Sequence, residues 1–219
     1  MHHEAARKTI LIVGLITFVI SVVFIIHLAK INKKGGKMTD LTDKKVLLII
    51  ASKDFQDQEY QETRRALEER GVEVSVASSV RGLVTGKFGT EVDAEISLDD
   101  VDVRNFDGVC FIGGPGAEEY FENRKAHQIC QEVVAQDKVL GAICIAPVIL
   151  AKAGVLEGKK ATVWSSEDNR EGIEELEKAG ANYTGSSVEV DGKIVTASGP
   201  PAAYDFGKQI AEVLASSQD

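Results

Sequence analysis

The strongest constraint on the fold is a set of short runs that are apolar at nearly every position: residues 46–51 (Val-Leu-Leu-Ile-Ile-Ala), 107–112 and 138–143. A strand with one wet face alternates polar and apolar residues, whereas a run apolar throughout is buried on both faces. That is the state of a parallel strand covered by helices above and below. Helical patterns fall between the runs, at about 57–70 before Gly71, 125–136, 146–153 before Gly154, 171–179 before Gly180, and from Gly199-Pro-Pro201 to about 215. Residues 72–77 alternate as a second strand and 160–164 form a short one, while 187–190 and 193–196 make a hairpin around Asp191-Gly192. Residues 82–86 and 89–96 read as a small hairpin or edge excursion, and 52–58 as a loop. Strands alternating with helices predict an α/β domain of three layers with a mostly parallel sheet. Ligands of such domains bind beyond the C-terminal ends of the strands. Three segments should converge there: 52–59, the Gly113–Gly116 loop and the corner at Cys144.

At that corner the run Val139-Leu-Gly-Ala-Ile-Cys144 passes at once into Ile-Ala-Pro147, residues that suit the start of a helix. Gly141, Ala142 and Ala146 are small enough for a sharp turn, and Pro147 has its φ pre-set for a first helical turn. This is the strand-to-helix nucleophile elbow with Cys in place of Ser. A thiol at a helix start feels the positive end of the dipole, which is expected to lower its pKa from about 8.5. The residue chemistry alone leaves open a buried Cys144 that only packs. Cys110, in a buried strand, and Cys130, on a helix, read as packing residues. Three cysteines without a CxxC spacing make neither a disulfide framework nor a zinc site. A reducing compartment follows, and no metal or cofactor is expected.

The first 37 residues differ from the rest. Residues 9–29 are free of Asp, Glu, Lys and Arg, and basic residues flank them at Arg7, Lys8, Lys30, Lys33, Lys34 and Lys37. The run predicts a short tail over 1–8, a transmembrane helix over 9–31 and a linker over 32–43, followed by the α/β domain over 44–219. The basic excess after the run would place that domain in the cytoplasm on a single-pass anchor, with a soluble cytoplasmic protein as the alternative if translation starts at Met38. Six Lys/Arg and one Asp/Glu lie in the first 37 residues, so the remainder holds 19 basic and 33 acidic residues, a net charge of −14 against −9 for the whole chain. Such a surface repels nucleic acid, which is therefore not an expected partner.

Ala142-Ile-Cys-Ile-Ala-Pro147, together with Ile112-Gly-Gly-Pro-Gly116, Gly82-Leu-Val-Thr-Gly-Lys87, Phe55-Gln-Asp-Gln-Glu59 and Thr196-Ala-Ser-Gly-Pro200, resembles the PfpI/DJ-one superfamily over about residues 44–214. The resemblance implies a flavodoxin-like three-layer sandwich of the class I glutamine amidotransferase type, usually dimeric. Reported activities of the superfamily include peptidase, deglycase, glyoxalase and redox sensing. It also implies that Cys144 is the reactive cysteine and Glu59 the acid that hydrogen-bonds it. Gly114 and Ile145 would supply the backbone N–H groups of the oxyanion site, and Gly113 and Trp164 would line the pocket. Read without the resemblance, Glu59 is a first-turn carboxylate complementing the helix dipole.

One departure from the family pattern matters. PfpI-type peptidases place a histidine directly after the nucleophile, where this chain has Ile145, and its last histidine is His127, before the nucleophile strand. Amide hydrolysis needs a base for the nucleophile and an acid for the leaving amine, so an intracellular cysteine peptidase stays only as the last of the alternatives. An aldehyde asks for less, because no amine has to leave. The expected substrates are therefore small reactive carbonyls or glycated protein, handled in a glyoxalase-like or deglycase-like manner. The alternatives are a cysteine redox sensor or stress-protective chaperone, and an interaction module with a vestigial site.

Overall fold

The computed structural model describes residues 40–216. Strands β1 (Lys45–Ile49) and β2 (Lys53–Phe55) lead into helix α1 (Asp57–Glu68), and β3 (Glu73–Ser78), β4 (Gly82–Gly86), β5 (Glu91–Ala94) and β6 (Ile96–Ser97) follow. Next, β7 (Gly108–Phe111) runs through a 3-10 segment, Pro115–Tyr120, to α2 (Arg124–Ala135), and β8 (Val139–Ile143) runs into α3 (Pro147–Lys152). The chain then forms β9 (Lys160–Ala161), α4 (Glu171–Lys178), β10 (Asn182–Tyr183), the hairpin β11 (Val188–Asp191) and β12 (Ile194–Ala197), and α5 (Ala203–Ser216).

The main sheet has the order β11-β12-β8-β7-β1-β3-β6. Among the described residues, the β11–β12 pair alone in this sheet is antiparallel. Successive side chains of a strand point to opposite faces, and β1 shows why its run is apolar at every position. Val46 and Leu48 pack with Tyr60 and Leu67 of α1 and Phe206 and Ile210 of α5. Leu47 and Ile49 pack with Ile129 of α2, Ile149 of α3 and Leu176 of α4. Each of these side chains contributes roughly 1.5–3 kcal/mol through burial. Where α1 and α5 meet, a Cβ on Gly207 would stand 2.7 Å from both the Ala66 Cβ and the Thr63 carbonyl, so the residue there has to be glycine.

The expected three-layer α/β sandwich is present, with differences at its margins. The loop expected over 52–58 contains β2, which pairs with β4; β4 and β5 form the expected hairpin, and the three make a separate small sheet. Within 160–164 only Lys160–Ala161 is strand, held by the unexpected β10. The segment Pro115–Tyr120, between β7 and α2, is a 3-10 helix.

The membrane-spanning helix is corrected. Residues 9–31, on which it was placed, lie outside the described residues, and among those described no helix is long and apolar enough to cross a membrane. The longest of these, α5, has 14 residues, about 21 Å of rise against roughly 30 Å of hydrocarbon, and one of its faces is buried in the core. Among the described residues the fold is thus the flavodoxin-like α/β sandwich, with no helix that spans a membrane. The single-pass membrane localisation and the membrane as a partner are withdrawn with it.

From β1 the chain moves to β3 on one side and later returns to β7 on the other, so the sheet order switches between β1 and β7. The C-terminal ends of β1, β7 and β8 open onto that switch point, and the segments that follow them carry Glu59, Gly113–Gly114 and Cys144.

Candidate active site

Cys144 follows β8 with a φ of +63°. A buried side chain rarely holds that conformation unless its surroundings fix it. Here the Cys144 N–H donates to the Ala197 carbonyl at 2.9 Å, and the Cys144 carbonyl accepts from Trp164 N–H at 2.8 Å. The side chain keeps a narrow opening, with 8% of the residue's surface exposed.

Glu59 reaches the same point from the first turn of α1 and is 0% exposed. Its Oε2 accepts from Gly113 N–H at 3.0 Å, while its Oε1 has no hydrogen-bond partner among the described residues. A Cβ on Gly113 would lie 2.6 Å from the Cys144 Cβ and 2.8 Å from Glu59 Oε2. The thiol and the carboxyl therefore close on the space that this glycine leaves empty. Gly114 has a φ of +100°, and a Cβ there would stand 2.4 Å from the Gln56 backbone nitrogen.

Burial pushes the Glu59 carboxyl up from its ordinary 4.5 to about 7, with hydrogen bonding to the Cys144 thiol and the Gly113 N–H pulling the other way. Burial likewise pushes the Cys144 thiol up to about 12; the Glu59 charge adds to this, while the N–H groups of Gly114 and Ile145 oppose it. These shifts reverse the expectation of a thiol acidified by a helix start. Helix α3 has only six residues, and its dipole is outweighed by loss of water and by the neighbouring carboxylate. Two anions cannot share this site at neutral pH. The pair loses its first proton through about pH 7 and holds the second above it, either as thiol and carboxylate or as thiolate and carboxylic acid.

A cavity of about 350 Å³ opens in front of the pair, walled by Gln56, Lys87, Phe88, Gly114, Ile145 and Trp164. Trp164, 37% exposed, forms a side of it, and Gly113 lies buried behind it. An adjoining cavity of about 340 Å³ shares Glu118, Ile145, Trp164 and Asn169. His127 is elsewhere: its Nε2 meets the Phe121 carbonyl at 2.8 Å, and it lines a different cavity with Glu122, Lys152 and Lys178.

Sequence reading missed the wall formed by Lys87 and Phe88. Asp57, 6% exposed, accepts from Phe88 N–H at 2.9 Å and Thr90 N–H at 2.8 Å and so fastens the β4–β5 turn to the start of α1. Burial works against the Asp57 charge, but these bonds and the Thr90 side chain hold its carboxyl below the usual range. A Phe in a turn, flanked by Lys87 and Gly89 and 73% exposed, was the available signal.

A family model described as the DJ-1/PfpI family matches residues 44–213. An uncharacterized protein of Methanocaldococcus jannaschii is 38% identical over 185 residues, 84% of this chain and 89% of its own. Deglycase PfpI of Pyrococcus furiosus is 31% identical over 169 residues, 77% of this chain and 98% of its own. The crystal structure of a ThiJ/PfpI domain protein from Brachyspira murdochii superposes with a TM-score of 0.74 at 29% identity, covering 78% of this chain and 96% of that one.

Proposed function

The chain belongs to the DJ-1/PfpI family, and on that premise we propose that it processes small reactive carbonyls or their adducts on protein, in a deglycase-like or glyoxalase-like manner. The observation that carries this reading is Glu59: a fully buried carboxyl titrating at about 7 beside Cys144, with no histidine at the site among the described residues. The name deglycase borne by the Pyrococcus furiosus relative supports the substrate class.

In this reading the Cys144 thiolate attacks the aldehyde carbon, and the Gly114 and Ile145 N–H groups take the developing oxygen charge. The Glu59 carboxylic acid then protonates that oxygen, giving a hemithioacetal. As carboxylate, Glu59 removes the hydrogen from the same carbon and returns it to the neighbouring carbonyl carbon, while the hydroxyl proton of the hemithioacetal passes to the neighbouring oxygen, which leaves a 2-hydroxy thioester at the redox level of the starting dicarbonyl. Water cleaves the thioester to a hydroxy acid and restores the thiol. A carboxyl with a pKa near the working pH suits both halves of that proton transfer. An adduct on an amine or a guanidine would enter at the same carbon and break its bond to nitrogen, with the Glu59 carboxylic acid protonating the departing nitrogen.

The test is methylglyoxal turnover by the purified protein, with Cys144→Ser in parallel and intact-mass spectrometry of both after mild peroxide. Loss of turnover in the variant is the expected result. Absence of turnover in the native protein, with two oxygens added selectively at Cys144, would overturn it in favour of redox sensing.

A further inference from the structure

Two hydrogen bonds tie the first turn of α1 to the loop after β7, and a third within that turn closes a ring. The Gln56 backbone N–H donates to the Gly113 carbonyl at 2.9 Å. The Gly113 N–H donates to Glu59 Oε2 at 3.0 Å. The Glu59 backbone N–H donates to Gln56 Oε1 at 3.0 Å, which makes Gln56 the N-cap of the helix. The ring has little slack, because Gly114 fits against the Gln56 nitrogen and the Asp54 carbonyl only for want of a Cβ.

Gln is not a favoured N-cap. Ser, Thr, Asn and Asp reach the same N–H groups with shorter chains, and ordering the longer Gln side chain costs more rotamer freedom. What Gln56 adds is position, since it also walls the Cys144 cavity. The unpartnered Oε1 of Glu59 is a buried acceptor left at a cost in stability, and swinging out to water would relieve it. Something must hold the carboxyl in.

We propose that Gln56 is a positioning residue: through the Gln56–Gly113–Glu59 ring its side chain holds the Glu59 carboxyl against the Cys144 thiol and out of water. This rests on the proposed role of Glu59, but its test does not depend on turnover. In the full chain the rate of Cys144 alkylation by iodoacetamide is followed against pH by intact mass, with Cys144→Ser as the blank. The native rate should rise through about pH 7 as the pair loses its first proton.

Gln56→Met keeps the length and removes the acceptor. With the carboxyl released to water the thiol no longer shares a proton with it, so the step near pH 7 should be lost and the alkylation midpoint should move up by about a unit or more. Gln56→Asn restores a neutral acceptor at the N-cap and should keep the native midpoint. A native midpoint in Gln56→Met, even with a lower melting temperature, would reduce Gln56 to an ordinary cap and overturn the proposal. If Gln56→Met does not fold, Gln56→Ala decides on the same terms: a displaced midpoint upholds it and a native one overturns it. If the native protein and its variants all fail to turn over methylglyoxal, the proposed function falls, while the alkylation midpoints still decide the role of Gln56.

Discussion

The two ends of the main sheet treat polar groups in opposite ways. At the N-terminal ends of the strands the charges are partly solvated and partnered: the Lys45 N–H meets Asp107 at 2.9 Å, and Lys138 Nζ donates to the Val103 and Phe106 carbonyls at 2.7 and 2.6 Å. There, too, Lys193 Nζ meets Asp137 Oδ2 at 2.6 Å. At the C-terminal ends Glu59 is wholly buried with one oxygen unpaired, Cys144 holds a positive φ and Gly114 is wedged against backbone. Stability alone would favour the first arrangement at both ends. The second is what a fold keeps where chemistry needs groups held in place at some cost in stability.

Adding a methyl at the crowded end should have the largest effect. Gly114→Ala combines a φ of +100° with a Cβ placed 2.4 Å from the Gln56 nitrogen and 2.6 Å from the Asp54 carbonyl. Neither neighbour is the free end of a flexible side chain, so backbone must move. A loss of about 3 kcal/mol or more in urea denaturation is expected, with loss of turnover. An alanine variant of native stability would mean that the end described as strained has room to spare.

Glu59→Gln sharpens the comparison, because there stability and activity should part company. The folded pKa of Glu59 is raised to about 7, above its ordinary 4.5, so burial favours the protonated form. Its contribution to stability is fully present below pH 4.5 and is lost as the pH rises through 7. The difference amounts to about 3 kcal/mol of pH-dependent stability. The amide of the variant cannot ionise, so urea midpoints measured at about pH 4.5 and about pH 8 should differ less in the variant than in the native protein. Turnover should nevertheless fall by about 10²–10⁴. A pH dependence unchanged by the substitution would show that Glu59 does not titrate as a buried group.

Most of this architecture was legible in the sequence, for a physical reason. Val46–Ile49 and Val139–Ile143 had to be strands covered on both faces, and the small residues around Cys144 had to turn sharply, because both patterns are local. The ionisation of Cys144 was not legible. A helix start argues for a lowered pKa, but burial and the Glu59 charge depend on groups that meet only across the folded sheet, and they act more strongly. The pocket wall was hidden likewise: Phe88 reaches the site because Asp57, some thirty residues earlier, binds the turn that carries it. In the resemblance Glu59 entered as a single matched residue. The ring that holds it needs Gly113, which is close only in space.

The smallest effect belongs at the other end, with Lys193→Met. Lys193 meets Asp137 through both the carboxylate and the carbonyl, at 2.6 and 2.7 Å, yet the Asp137 side chain is 85% exposed. Water can replace the ammonium at both acceptors, so removing the cation should change stability by no more than about 1 kcal/mol. Asp137 also has a positive φ, +53°, close to the +63° of Cys144. The likeness ends there, because an exposed Asp tolerates that conformation whereas a buried Cys does not. Turnover and the pH dependence of stability should both be native in Lys193→Met. A loss well beyond about 1 kcal/mol would show that the N-terminal end is also held under constraint, and a positive φ at Cys144 would then no longer set the active corner apart.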